Sequence, residues 1–383
     1  MFLKSLISIG RQAKLRVSIV GGSNSVMRKG YAKYLYEDLS RTTSQSTSLK
    51  YYSLGGVPSV FSLIQQYRHN VALNSDLIFF EYGINDRHAI EINKYSLELA
   101  GKSLEGFIRS CHRVNSNCII VILIFGVNLD TFYHNHCALS ELYETIAARY
   151  CLPVINLTKL LGKTKGVDFI KSLYSETDEA HYSRPYGVKV ISQTIVKQLT
   201  KVGIVDNLKL GEKISFPSII KPIYADNFAN LAFFENFEQG NFFAQQPQIS
   251  VFQNTVFREK HFTIYPGNCL KFLLKGRFVG VFIKSDLNDG LVNIEFNSQR
   301  IVASSYCPWV NKLKSQNINL ITLPLRQFAP SPDYAPVSIS LCSEYSDNFE
   351  LDYFKSEPRS KDPQKWKLSI IGIAYIGELK PCS

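Results

Sequence analysis

A parallel α/β sheet followed by an all-β region is the fold class predicted by this 383-residue sequence. Three observations predict it. Continuous apolar runs alternate with helix-period segments through the first half, the pattern of strands buried on both faces. Beyond about residue 210 helical periodicity fades and short strand-like runs follow one another. The length also exceeds the roughly 100–200 residues of a usual single domain.

Taken in order, Arg16–Val20 is a β-rich run ending in Gly21-Gly22, and Val26–Leu39 carries apolar residues at helical spacing. Lys50–Leu54 reads as a second strand, closed by Gly55-Gly56. Asp76–Glu81 is an apolar strand ending near Gly83, followed by strands at Cys118–Phe125 and Pro153–Asn156. Helical patterns fall near Leu97–Arg113, Cys137–Tyr150 and Tyr186–Leu199. In the second half, strands are expected at Leu270–Leu274, Phe278–Ile283, Val292–Phe296, Ile318–Leu323, Val337–Leu341 and Leu368–Ile376. Turn residues such as Asn288-Asp289-Gly290 separate them, which predicts an antiparallel β-sandwich. The expected domains are residues 1–210 and 211–383, with a linker near Asn207–Pro217. There is no internal repeat and no low-complexity tract.

Hydrophobic residues at 45% supply a sizeable core, and charged residues at 20% argue against a wholly disordered chain. The formal charge of +11 is concentrated early: the first 50 residues hold nine Lys/Arg against two Asp/Glu. A basic surface attracts anionic partners such as an acidic glycan or anionic lipid, so peripheral membrane contact stays open. It is equally the ordinary solvated surface of a lysine-rich protein. Nucleic acid is not expected, because no RNA-binding or helix-turn-helix signature accompanies the charge. The eight cysteines are dispersed without C-x-x-C or zinc-ligand spacing, a pattern that suits a reducing compartment. Met1–Arg16 is basic, but Lys4 and Arg11 break its apolar stretch, so no signal peptide is read. The longest apolar run, Cys118–Val127, is about half of what a membrane helix needs. These features predict a soluble, cytoplasmic protein.

The chemistry sits at strand ends, where open parallel sheets bind ligands. Gly21-Gly22-Ser23-Asn24-Ser25 places Ser23 on a strand-to-helix turn with its hydroxyl exposed and its N–H near a helix start. It is not the G-x-S-x-G elbow, since Ser25 stands where the last glycine would be. Gly55 offers a backbone N–H that no side chain shields, and Gly56 is the alternative in the same turn. Gly83-Ile84-Asn85-Asp86 supplies the Asn85 amide. Ser23 N–H, Gly55 N–H and the Asn85 amide make a candidate oxyanion hole, where one donor is worth ~3–4 kcal/mol in the transition state. A serine needs a base. His181 is distinctive among the seven histidines because Asp178 precedes it by three residues, in a loop before the last helix, and can orient its imidazole.

Each pattern has a bland reading beside it. Gly-Gly-Ser is commonly a plain turn or a phosphate loop, G-x-N-D a β–α turn, and D-x-x-H a helix cap. Together those readings require a coincidence of order, spacing and strand placement. His134-Asn135-His136 invites a metal, but no third ligand is evident and none is expected. Arg87-His88 follow the third block, where solvation is the simpler reading. Phe233, Phe234, Phe237, Phe242 and Phe243 would suit a sugar platform or ordinary packing.

These residues resemble the four blocks of the SGNH/GDSL hydrolase superfamily. Gly21-Gly22-Ser23-Asn24 stands where the family has G-D-S-L, Gly55 matches the block II glycine, Gly83-x-Asn85-Asp86 matches G-x-N-D, and Asp178-x-x-His181 matches D-x-x-H. The blocks occur in order across residues 16–201. The resemblance implies a flavodoxin-like three-layer α/β/α fold and esterase, deacetylase or acyl-transfer activity without a metal. Gly22 replaces the family's Asp and Asn24 its Leu. That Asp is outside the triad, but substrate range does not carry over from the G-D-S-L form. The expected function is a serine esterase acting on O-acetyl groups of a carbohydrate, with no cofactor. Two alternatives stay open. One is a polysaccharide O-acetyltransferase using acetyl-CoA or another acyl donor; the other is an inactive glycan-binding protein. The second domain is expected to be accessory and to contact carbohydrate.

Overall fold

The structure, a computed structural model, describes residues 14–91, 95–128, 137–210, 220–312, 317–322, 328–349 and 355–382. His134 and His136, where no metal is expected, and most of the expected linker lie outside the described residues.

In chain order the first half contains β1 (Leu15–Gly21), α1 (Ser23–Val26), α2 (Tyr31–Thr43), β2 (Thr47–Tyr51), α3 (Val60–His69), β3 (Leu77–Glu81), α4 (Gly83–Glu91), α5 (Leu97–Val114) and β4 (Ile119–Ile124). It continues with α6 (Ala138–Arg149), β5 (Val154–Asn156), α7 (Leu157–Lys165), α8 (Val167–Lys171), β6 (Tyr174–Ser175), β7 (Asp178–Tyr182), α9 (Tyr186–Lys201) and α10 (Ile204–Leu210). The second half contains β8 (Leu231–Phe234), β9 (Gln248–Gln253), β10 (Arg258–Ile264), β11 (Cys269–Ser285), β12 (Leu291–Phe296) and β13 (Gln299–Ser304). After them come α11 (Trp309–Lys312), β14 (Asn317–Thr322), β15 (Ser331–Leu341) and β16 (Leu368–Pro381).

The chain divides into two compact units that interleave along the sequence. The first comprises Met1–Gly55, Asn70–Ile84 and Cys111–Lys221; the second comprises Gly56–His69, Asn85–Ser110 and Pro222–Ser383.

The first unit holds an all-parallel sheet in the order β2-β1-β3-β4-β5. β3 and β4 are buried at every residue, as their unbroken apolar runs require. On one face Val17, Ile19, Phe79, Val121 and Leu123 meet Leu35 and Leu39 of α2 and Ile191 and Ile195 of α9. On the other, Phe80 packs edge-on against Tyr143 of α6. The order reverses between β2 and β3 around β1, which makes the carboxyl end of β1 the topological switch point.

Two expected elements differ in extent. The single helix expected at Val26–Leu39 is broken into α1 and α2, because Met27 is extended, Lys29 is left-handed at φ 59° and Gly30 is extended at the start of α2. The second strand runs over Thr47–Tyr51 rather than Lys50–Leu54, with Leu15 paired to Thr47; ladder-like bonds from Tyr52 and Leu54 to Ile19 and Gly21 carry the pairing as far as the glycines.

The second unit is an antiparallel sheet in the order β13-β12-β15-β11-β16-β10-β9, with β14 on β11 and β8 on β16. Strands from both ends, Ile301 of β13 and Phe262 of β10, enter one apolar core, so the sheet folds over itself as a sandwich. The two strands expected at Leu270–Leu274 and Phe278–Ile283 are one, β11. Gly276 sits opposite Gly377 of β16 at φ 126° and 117°, and a Cβ on either would lie 2.0 Å from the facing strand's carbonyl oxygen. The pair lets two long strands coil without breaking. Helices from the first half complete this unit. Phe61 of α3 packs on Phe257 and Phe282, and Arg68 makes a bidentate pair with buried Glu259 at 3.0 and 2.8 Å. Glu105 of α5 accepts both the Ile223 and Tyr224 N–H groups at 2.7 Å.

Candidate active site

Ser23 is the first residue of α1, directly after β1, where the extended Gly22 leads out of the sheet. The turn is tied to the neighbouring strand by Gly22 N–H donating to the Glu81 carbonyl at 2.9 Å. Asp178 and His181 were expected in a loop; they lie instead on β7, in a two-stranded hairpin with β6. Strand alternation would put residues three apart on opposite faces, but the β6–β7 pairing shifts register here and brings them together.

Ser23 Oγ is 2.7 Å from His181 Nε2, and His181 Nδ1 is 2.6 Å from Asp178 Oδ2. With the proton on Nδ1, the imidazole donates to Asp178 and accepts from the serine hydroxyl, the tautomer a general base requires. Asp178 Oδ1 accepts the N–H groups of Ala180 at 3.0 Å and His181 at 3.2 Å. The carboxylate is therefore fixed by its own strand while its second oxygen faces the ring.

The hairpin is braced from behind by aromatic rings. Tyr182 packs at 4.7 Å against Tyr174 with the rings tilted by 32° and meets Phe125 edge-on at 5.5 Å; Phe125 in turn meets Tyr31 at 5.0 Å. Backbone bonds add to this, with Asn128 N–H donating to the Glu179 carbonyl at 2.7 Å.

Gly55 stands against the nucleophile: a Cβ there would lie 3.2 Å from the Ser23 Cβ. Gly56 adopts φ 75°, which glycine alone takes easily, so the two glycines do different work in the turn. Ser23, Gly55, Asp178 and His181 are thus brought together in the first unit. Asn85 belongs to the second, buried on α4, where its amide donates to the Val57 carbonyl at 2.8 Å and one N–H of the pair is left over. The next residue, Asp86, accepts the Ser59 N–H at 2.6 Å.

Three residues escaped the sequence reading. Asn24, buried next to the nucleophile, donates its amide to the Ala180 carbonyl at 2.9 Å and so links the Ser23 turn to the His181 strand. Beneath it, buried Ser25 donates to Glu81 Oε2 at 2.8 Å and lies 3.1 Å from the Tyr31 hydroxyl. Burial, reinforced by the Glu81 carboxyl, raises the Tyr31 phenol well above its ordinary value. A carboxylate ending an apolar strand signals a partner, but only the folded chain tells which.

The first unit is a five-stranded parallel α/β sheet with helices, joined in one chain to an antiparallel β unit, and solved structures share this architecture. The solved structure of a two-domain esterase (CEX) active on acetylated mannans, co-crystallized with mannopentaose, matches 97% of this chain and 92% of its own. The TM-score is 0.65 and the identity 13%. A second solved structure of a two-domain esterase (CEX) active on acetylated mannans matches 96% of this chain and 92% of its own, at the same TM-score of 0.65 and identity of 13%. At that identity the likeness is one of fold. No family model and no curated protein matches the sequence. The expected pairing of an α/β SGNH-type sheet with an all-β region agrees with this architecture.

Proposed function

We propose that the chain is a serine esterase removing O-acyl, chiefly O-acetyl, groups from a carbohydrate. The observation that carries this reading is the hydrogen-bonded chain Ser23–His181–Asp178 at the switch point of the sheet. The two-domain likeness to an esterase active on acetylated mannans supports carbohydrate as the substrate class.

In the proposed reaction Ser23 Oγ attacks the ester carbonyl as His181 Nε2 takes its proton. Asp178 stabilises the imidazolium that results. The tetrahedral oxyanion is held by the Ser23 and Gly55 N–H groups. Collapse expels the sugar hydroxyl, which takes the proton back from Nε2 and leaves an acyl-serine. Water, deprotonated by His181, then attacks the acyl carbon, and the carboxylic acid leaves as Oγ is reprotonated.

The test is p-nitrophenyl acetate turnover together with mass spectrometry of an acetylated oligosaccharide. Wild type should release acetate and Ser23→Ala should not, with rates at least ~10³-fold apart. A covalent serine probe should label Ser23. Labelling elsewhere, or full activity in Ser23→Ala, defeats the reading. Acetate moving onto an added sugar acceptor, rather than to water, would identify a transferase using the same acyl-enzyme.

A further inference from the structure

The part of the second unit's sheet made by β9, β10, β16 and β11 has two unlike faces. Residues directly opposite one another across strands share a face. Gln248 pairs with Thr263, Thr263 with Ser369, and Ser369 with Lys284, so one polar row crosses four strands. To one side of this row lies His261, two residues from Thr263 and opposite Ser250; to the other lies Lys367, two residues from Ser369. The alternate residues Phe262, Ile264, Leu368, Ile370 and Ile283 fill the apolar core. The polar row is therefore on the outer face. Where Phe282 and Glu259 stand, that face is covered by Phe61 and Arg68 of α3. Two residues further along each strand it is lined with hydroxyls, amide and ammonium groups.

These outer residues are buried all the same: Lys284, His261, Thr263 and Ser369 are 5%, 5%, 4% and 1% exposed. They wall a cavity of about 210 Å³. Lys284 and Lys367 both reach Asp286 Oδ2, at 3.0 and 3.2 Å, so two ammonium groups share one carboxylate. At the rim Tyr265 is 47% exposed, and its hydroxyl donates to Gln248 Oε1 at 2.7 Å, which fixes the ring. Packing alone gains nothing from a buried lysine at this position, where desolvation costs free energy.

We infer that this cavity binds one acidic pyranose residue of a glycan, its carboxylate toward Lys284 and Lys367, its hydroxyls on Thr263, Ser369 and Gln248, and one ring face on Tyr265. The cavity is smaller than the about 300–1,000 Å³ of drug-sized sites, which suits one sugar rather than an extended chain. A ring presenting hydroxyls along one edge and an apolar face matches a hydroxyl-lined wall beside an aromatic better than a bare inorganic anion does. The net charge of +11 adds long-range attraction for an acidic polymer. The choice of a sugar rests on the glycan reading above, but the site is separate from Ser23 and is tested separately.

The experiment titrates the intact protein with sodium glucuronate, glucose and sodium acetate by saturation-transfer NMR and calorimetry. Glucuronate should bind wild type and Ser23→Ala alike, and glucose and acetate should each bind at least about tenfold more weakly. Lys367→Gln and Tyr265→Ala, both at partly exposed side chains, should each weaken glucuronate at least about fivefold. Both should leave p-nitrophenyl acetate turnover and melting temperature unchanged. The inference is overturned if wild type does not bind glucuronate, if glucose or acetate binds as tightly, or if both variants bind it normally. An absence of ester turnover in wild type would instead strike only at the Ser23 reading.

Discussion

Asn24 shows how much a site depends on a residue that performs none of the chemistry. Its side-chain amide holds the Ala180 carbonyl, one residue before His181, and its own backbone follows Ser23. Base and nucleophile therefore share one clamp. Asn24→Ala should cost about 1 kcal/mol of stability for the lost hydrogen bond. It should lower kcat more than that figure implies, by roughly tenfold or more, because Nε2 would drift from a 2.7 Å approach to Oγ. KM for p-nitrophenyl acetate should hardly move. Steady-state kinetics beside thermal melts separate the two effects, and a variant that lost stability but kept kcat would make Asn24 merely structural. Ser23 and Asn85 stood out as candidates because their blocks end apolar runs at glycines, and Asp178 and His181 because a carboxylate precedes a histidine by three residues. Asn24, Ser25 and Glu81 did not, since their partners lie 156, 6 and 56 residues away and no local pattern marks them.

At the scale of elements, α3 is held by the β unit through charge as well as through Phe61. Arg68 faces Glu259 and Glu235 at 2.8 and 2.7 Å, and both Arg68 and Glu259 are largely withdrawn from water. Arg68→Ala should destabilise the second unit by ~3–5 kcal/mol, because it strands the Glu259 carboxylate without a cation. The Arg68→Ala/Glu259→Gln double variant should recover part of that loss, and denaturant melts of the set are the measurement. Failure of the double variant to recover anything would mean that packing, not charge, holds the helix. The sequence revealed the parallel strands more fully than the antiparallel ones for a physical reason. β4 is apolar throughout and β3 up to its last residue, Glu81, whereas Arg258–Ile264 alternates Glu259 and His261 with Phe262 and so escapes a search for apolar runs. β11 was divided in the reading because Gly276 looks like a turn until its partner Gly377 is seen across the strand pair.

For the whole molecule, acid should weaken the fold through two buried histidines. Burial lowers His112 to about 4. Burial first, then the charges of Lys284 and Lys367 against the opposing Asp286, lowers His261 to about 4. The unfolded chain takes up a proton on each near the ordinary 6.5, while the folded chain resists until about 4. The unfolded state thus binds more protons in that window, and stability falls as pH drops through it. Melting temperatures between pH 7 and pH 4 should show the decline, and His261→Gln should flatten part of it. A melting temperature that stayed level across the window would remove the histidines from the account.

The interleaving of the two units also sets a timetable for synthesis. α3 emerges early, yet the sheet it joins is built on β16, which pairs with β11, β10 and β8 and is made long after α3. At ~5–20 residues per second, the ribosome needs about 15–60 s to travel from the end of α3 to β16. Phe61 and Arg68 wait first for Glu235, Phe257, Glu259 and Phe282, and the sheet that carries those partners then waits for β16. A ribosome-stalled chain ending at residue 360 should therefore remain open to protease across residues 231–304, while one carrying β16 clear of the exit tunnel should resist. Equal resistance in both would mean that the sheet closes without its central strand. If the delay holds, the early helix waits about 15–60 s for its finished sheet, and codon usage between α3 and β16 becomes a control on yield.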